Sequence, residues 1–324
     1  MGMKPKPLSV ALLGTGRISE TQLAPALAAA SGLRLWSVLS RDRGRAAGFA
    51  RRHRARSPDP GYARLDEMLA DPKLDAVLIA TPDALHAEQA LAAIAAGKHV
   101  FAEKPMVTSS ADGRRVVEAA EAAGVTVGVA YHLRWHGGHR AMERLIRGGA
   151  LGALRHMRVQ WTWPAPDDSN WRAGSDVGRW WSLAGVGTHC LDMIRWFMVP
   201  GCGEVVEVRS ATSNAVWGGP RDETALVALT FESGATAEFC SSVQFESPSR
   251  VEVYGDQGYV IGNHTLGPRG AGTVFTRAGM VPYVVQNPYV GELVDFAAAV
   301  RSGRPPAVDA REGLRNVELL EEIN

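Results

Sequence analysis

The chain has 324 residues, 46% hydrophobic and 21% charged, enough apolar content for a full core and enough length for two domains. The 35 Lys+Arg and 34 Asp+Glu leave a net charge of +1, so no excess positive field argues for a nucleic-acid partner. Cys190, Cys202 and Cys240 form an odd set without CxxC spacing, which disfavours a disulfide framework or a zinc cluster and suits a reducing compartment; no metal is expected.

Leu8–Leu13 is a short apolar run ended by Gly14, the pattern of a buried parallel strand. It is too short for a signal h-region or a membrane span, so a cytoplasmic protein without a membrane partner is expected. Ile18–Ala30 reads as a helix, Leu33–Leu39 as a strand, and Ala46–Arg54 as a helix within a basic segment read as a solvated face. A short helix over Leu65–Ala70 precedes a strand over Leu74–Ala80. Then come a helix over Leu85–Ala96, a strand over His99–Ala102, a helix over Ser110–Ala123 and a strand over Val125–Ala130. This alternation predicts a doubly wound parallel sheet over residues 1–130.

The pattern changes after Ala130. A helix ends over Met142–Arg147, Arg155–Trp163 alternates as a strand, and a loop runs from Pro164 to Asp176. A helix is expected from Gly187 to Met198. Strand-like runs follow at Val205–Ser210, Thr224–Phe231, Ala235–Val243, Arg250–Gly255 and Tyr259–Gly262. A helix over Gly291–Arg301 and another from near Asp309 close the chain. The second expected domain, residues 131–324, is therefore α/β with a large, mainly antiparallel open sheet. Its C-terminal helix has the option of packing back on the first domain.

Two motifs carry chemistry. Gly14-Thr15-Gly16-Arg17-Ile18-Ser19 follows a strand and opens a helix. Gly14 permits a tight turn, Gly16 admits a pyrophosphate to the backbone, and the helix N-terminus favours negative charge. Ser19 stands where a third glycine would fall. The second strand ends at Ser40-Arg41-Asp42. An acidic residue at a strand end would select the ribose hydroxyls of NAD, whereas Ser40 with Arg41 or Arg45 suits the 2′-phosphate of NADP. NADP is the preferred expectation, with NAD open because arginine also stacks on adenine. The second motif is Glu103-Lys104-Pro105, at the end of the His99–Ala102 strand. A lysine at the mouth of a nucleotide site serves as an acid/base or electrostatic group, which favours hydride transfer over bare nucleotide binding.

These motifs, with Ala80-Thr81-Pro82-Asp83-Ala84-Leu85-His86, Ala96-Gly97-Lys98-His99-Val100 and Gly187-Thr188-His189-Cys190-Leu191-Asp192, resemble the Gfo/Idh/MocA oxidoreductase family over nearly the whole chain. Tyr131-His132-Leu133-Arg134 with His139-Arg140-Ala141-Met142 is similar to its anhydrofructose reductase branch. The resemblance implies an N-terminal Rossmann domain and a C-terminal sheet that makes a homo-dimer or homo-tetramer. It also implies a bound NAD or NADP and a sugar or cyclic polyol substrate.

By the same resemblance Lys104 and His189 are the catalytic candidates, with Lys104 beside nicotinamide and substrate oxygen and His189 moving the proton. Thr81, Pro82, His86 and Glu103 would line or shape the cofactor cleft. Trp171 and Arg172 would reach cofactor and substrate, and Tyr131, Arg134 and Asp192 would bind substrate. One departure is Gly185, where the family often has an acidic residue four positions before the histidine; Arg179-Trp180-Trp181 also replaces a glycine-rich run. Trp180 and Trp181 suit either a sugar pocket or a core. Rival readings are an NAD-dependent glycosidase of the same fold and a non-catalytic nucleotide-binding regulator.

Overall fold

The computed structural model describes residues 6–174 and 178–323. The chain divides into two compact units. One runs through Ala130 and takes in Tyr289–Val317; the other holds Tyr131–Pro288 and the residues from Glu318 on.

The first unit opens with β1 (Leu8–Leu13), α1 (Ala24–Ala29), β2 (Leu33–Leu39), α2 (Arg43–Arg52), β3 (Gly61–Tyr62) and α3 (Leu65–Leu69). It continues with β4 (Ala76–Ile79), α4 (His86–Ala95), β5 (His99–Ala102), α5 (Ser110–Ala123) and β6 (Val127–Val129). Its six strands lie in the order β3-β2-β1-β4-β5-β6, every pair parallel. Parallel strands covered on both faces must be apolar throughout, and β4 is buried at every position. Connections run outward from β1 on one side and from β4 on the other, so the β1/β4 boundary is the switch point where ligands of such sheets bind, beyond the strands' carboxyl ends. The expected helix over 18–30 is divided into a π-helical turn, Ser19–Leu23, and α1. Pro25, which has no N–H to donate, falls where the ladder changes from one register to the other.

The second unit begins with a 3₁₀ turn, His132–Trp135, then α6 (Gly137–Arg147), β7 (Leu154–Thr162), a π-helical turn at Leu183–Gly187 and α7 (Thr188–Cys202). Seven strands follow: β8 (Val205–Ser213), β9 (Thr224–Phe231), β10 (Thr236–Ser242), β11 (Arg250–Gly255), β12 (Tyr259–Asn263), β13 (Thr273–Thr276) and β14 (Gly279–Met280). They join β7 in one eight-stranded sheet, ordered β14-β13-β12-β11-β7-β10-β9-β8. All pairs are antiparallel except β10 with β7. On β9, Ala225, Val227, Leu229 and Phe231 are buried while Leu226 is 55% exposed, the period-two signature of a sheet with one covered face. The loop expected as far as Asp176 contains a 3₁₀ turn, Trp171–Ala173; Asp176 itself lies outside the described residues.

The chain ends in α8 (Pro288–Ser302) and α9 (Ala310–Glu322). Tyr289, Leu293, Phe296 and Ala297 of α8 enter the same core cluster as Val10, Leu12, Leu78 and Phe101, with the Phe101 and Phe296 rings 5.1 Å apart. Val129 N–H donates to Val308 O at 3.0 Å. These contacts place residues 289–317 in the first unit, although a simple division at residue 130 assigns them to the second domain. Among the described residues no helix is long and apolar enough to cross a membrane.

Candidate active site

In the first unit, the sheet order brings three loops to the carboxyl ends of adjacent strands: the turn after β1, the Thr81-Pro82 turn after β4, and Glu103-Lys104-Pro105 after β5. Gly14 has φ +100°, and a Cβ there would meet the Ala80 carbonyl oxygen at 2.5 Å, so no other residue fits the turn. A Cβ on Gly16 would meet nothing within 4 Å, leaving its backbone open to a ligand's approach. Gly16 O accepts from Glu20 N–H at 3.0 Å, an α-type bond that carries Arg17 and Ile18 into the π-helical turn at Ser19–Leu23. Thr15 Oγ1 lies 3.4 Å from Ser40 Oγ, tying the glycine turn to the end of β2. Arg41 and Arg45 are exposed beside it. Asp42 accepts Arg45 N–H at 2.6 Å and caps α2. The geometry of this cradle fits a dinucleotide.

Glu103 N–H donates to Ile79 O at 2.8 Å, and the Glu103 side chain is buried and accepts Lys104 N–H at 3.2 Å. The Lys104–Pro105 peptide is cis. Thr81 Oγ1 bonds Gln89 at 2.7 Å. His86, expected along the cofactor cleft, is instead fully buried. Its Nδ1 lies 3.0 Å from Pro105 O and its Nε2 2.9 Å from Thr81 O. It therefore ties the Thr81-Pro82 turn to the lysine loop, and its ring does not line an open surface.

The second unit gathers its own group around His189, which is 3% exposed on the first turn of α7. The His132 ring stands 4.9 Å away at 81°, Tyr131 5.7 Å away at 89°, and Trp161 5.4 Å away. The Tyr131 hydroxyl lies 2.7 Å from Thr188 Oγ1. One helical turn beyond His189, the Asp192 carboxylate accepts from Arg134 Nε at 2.9 Å and Nη2 at 2.7 Å, a bidentate ion pair between side chains 7% and 3% exposed. Tyr131, Arg134, His189 and Asp192 thus meet in one place. His139, from the same sequence neighbourhood, sits between Leu133 O and Thr265 Oγ1. Full burial holds it well below the ordinary histidine range, so it is a neutral part of the core.

The space near Gly185 is bounded by Trp163, whose indole nitrogen would lie 4.0 Å from an added Cβ. Trp180 and Trp181 are both buried, and Trp181 stacks on Trp217 at 4.9 Å, which makes them core. A residue without a motif organises this segment. Asp222 accepts from Trp181 N–H, Leu183 N–H and Ser182 Oγ at 2.8, 2.8 and 2.6 Å, clasping the π-helical turn that leads into His189. Burial pushes its carboxyl above the usual range, against those three hydrogen bonds. The only advance signal for this role is the Asp-Glu pair at the start of a strand. Arg172 stacks on Trp171 at 4.0 Å, and Trp171 is 38% exposed. Among the described residues no group of three or more His, Cys, Asp and Glu is arranged to hold a metal.

Comparison with known proteins agrees with this architecture. Residues 8–131 match the oxidoreductase family with an NAD-binding Rossmann fold, and residues 139–261 match the GFO/IDH/MocA C-terminal domain. The chain is 28% identical to a 1,5-anhydro-D-fructose reductase of Ensifer adhaerens, over 94% of this chain and 91% of that protein. It is also 28% identical to a myo-inositol 2-dehydrogenase of Thermotoga maritima, over 79% and 78%. The aldose-aldose oxidoreductase of Caulobacter crescentus has the same fold, with a TM-score of 0.91 at 24% identity, covering 98% of this chain and 96% of that one. The chain therefore belongs to the Gfo/Idh/MocA family of NAD(P)-binding Rossmann oxidoreductases.

Proposed function

We propose that the protein transfers hydride between NADP and a hydroxyl or keto carbon of a sugar or cyclic polyol, with Lys104 and His189 as its catalytic residues. The observation that carries this reading is the convergence, at the carboxyl edge of the first sheet, of the open Gly16 turn and the Lys104 loop. The substrate class rests on the sugar and polyol enzymes that the chain resembles. Bound NADP supplies the hydride chemistry. Gly14, Thr15, Gly16, Arg17 and Ile18 hold its pyrophosphate, Ser40, Arg41 and Arg45 its 2′-phosphate, and Thr81, Pro82, Glu103, Trp171 and Arg172 complete the cofactor contacts. The Lys104 ammonium polarises the substrate oxygen, and His189 moves its proton. Asp192, Tyr131 and Arg134 fix the hydroxyls, so that orientation supplies much of the acceleration. The active form is a homo-dimer or homo-tetramer assembled through the C-terminal sheet.

The test is turnover of a panel of sugars, polyols and their keto forms with NADP or NAD, followed by nicotinamide absorbance. K104A and H189A are expected to lower kcat/KM by about 10²–10⁴-fold each. Absorbance that never moves across the panel refutes the dehydrogenase reading. Release of an aryl leaving group with no net cofactor change would mark a glycosidase.

A further inference from the structure

Glu292, on the inner face of α8, has no place in the chemistry above. It is 1% exposed. Its neighbours along the helix, Tyr289, Leu293 and Phe296, belong to the apolar core of the first unit. Neither carboxyl oxygen has a hydrogen-bond partner among the described residues. One turn along α8 the Phe296 ring packs on Phe101 of β5 at 5.1 Å, two residues before Glu103, and Glu103 is the charged neighbour whose field reaches Glu292. On its own helix the buried titratable neighbour is Tyr289, whose hydroxyl is pushed up first by burial and only then by the two carboxyls. A carboxylate in such a place would have lost its water and gained no donor, and a second negative charge would repel it. Groups so placed neutralise. Burial, then Glu103, push its carboxyl well above the ordinary range.

We propose that Glu292 is a positioning residue: a proton-bearing carboxylic acid on the α8 face that packs on β5, whose neutrality sets no like charge against the contact between Glu103 and the Lys104 amide. Glu103 spends an oxygen on Lys104 N–H at 3.2 Å, and its own N–H is fixed to the end of β4. Ionisation of Glu292 sets like charge against that anchor, so the loop carrying the proposed catalytic lysine loosens as alkali removes one buried proton. No bond to carbon changes; the proton leaves to solvent. The inference rests on the proposed role of Lys104 only for its catalytic consequence, because the proton and the loop are measured without turnover.

The experiment has two arms on the full chain. Infrared spectra of the protein with isotope-labelled glutamate should show a protonated carboxylic acid at neutral pH that disappears in alkali and is missing in E292Q. Hydrogen exchange of the Phe101–Met106 segment, compared at equal pH, should be alike in the two proteins at neutral pH. It should be about tenfold faster in the unmodified protein once the acid ionises. Absence of the protonated band, or a segment that exchanges alike in both proteins at every pH, overturns the proposal. If E292Q does not fold, exchange of the same segment in the unmodified chain, corrected for its intrinsic pH dependence and followed through the pH at which the protonated band disappears, decides instead: no added acceleration there overturns the proposal. A protein that shows both signatures but turns over no sugar refutes the oxidoreductase assignment of Lys104 and leaves the Glu292 device standing.

Discussion

The buried Arg134–Asp192 pair joins a 3₁₀ turn to α7, one helical turn from His189. Two charges so far from water are stable together and costly apart: removing one partner leaves an uncompensated charge, at about 3–5 kcal/mol. D192A and R134A should each destabilise the protein by that order in chemical denaturation, while a double replacement by apolar residues of similar volume should recover much of the loss. Strict additivity of the two single changes would mean that the pair is not coupled. Arg41 is the opposite case, an exposed side chain for which we propose a contact with the 2′-phosphate of NADP. A charge-assisted hydrogen bond contributes about 1.5–3 kcal/mol, so R41A should weaken NADP binding by about 10–100-fold and leave NAD nearly untouched. Equal losses for both nucleotides in a fluorescence titration would remove Arg41 from the 2′-phosphate site. Sequence alone selected Arg134 and Asp192 as separate substrate contacts. Their mutual bond spans 58 positions, and no local pattern announces it.

Elements with a strong local pattern were legible. β2, β5, α5, β9 and β11 begin and end where apolar periodicity and their terminal residues indicate. Ser109 caps α5 by accepting Asp112 N–H at 3.1 Å, and Gly124 closes it at φ 64°. The two π-helical turns were not legible, because the i to i+5 ladder has no distinct apolar period. β14, two exposed residues long, is likewise too short to show alternation. The turn at Leu183–Gly187 depends on Asp222, about 40 residues away, through two backbone amides and a hydroxyl. D222A leaves those amides unpaired at about 1–3 kcal/mol each. D222N keeps one acceptor oxygen, so its melting temperature should fall between that of D222A and the parent. Activity should fall in the same order, through kcat more than KM, because the turn leads directly into His189. A D222A protein with parental melting and kcat would show that the clasp is idle.

At the scale of the whole chain, the first unit is completed only after an excursion of more than 150 residues, when α8 delivers Phe296 against Phe101. The sequence leaves packing back on the first domain open as an option without deciding it, since the α8 pattern states that one face is buried but not which core receives it. The open sheet of the second unit poses the other long-range question. Its uncovered face carries both signs of charge, with Arg158 paired to Glu238 and Arg209 to Glu207. Among them lie Leu226 and Ala228, both exposed. A surface with both charges around a small apolar centre is able to meet its own copy about a two-fold axis, where each patch serves as partner to the other. On that basis L226E should reduce the molar mass measured by light scattering to that of one chain, because a carboxylate at the centre of a self-paired face meets its own image. The variant should still melt cooperatively, since Leu226 contributes nothing to the covered side of β9. An unchanged mass, or a parent that already weighs one chain at micromolar concentration, would exclude this face from assembly and with it the homo-oligomer proposed above.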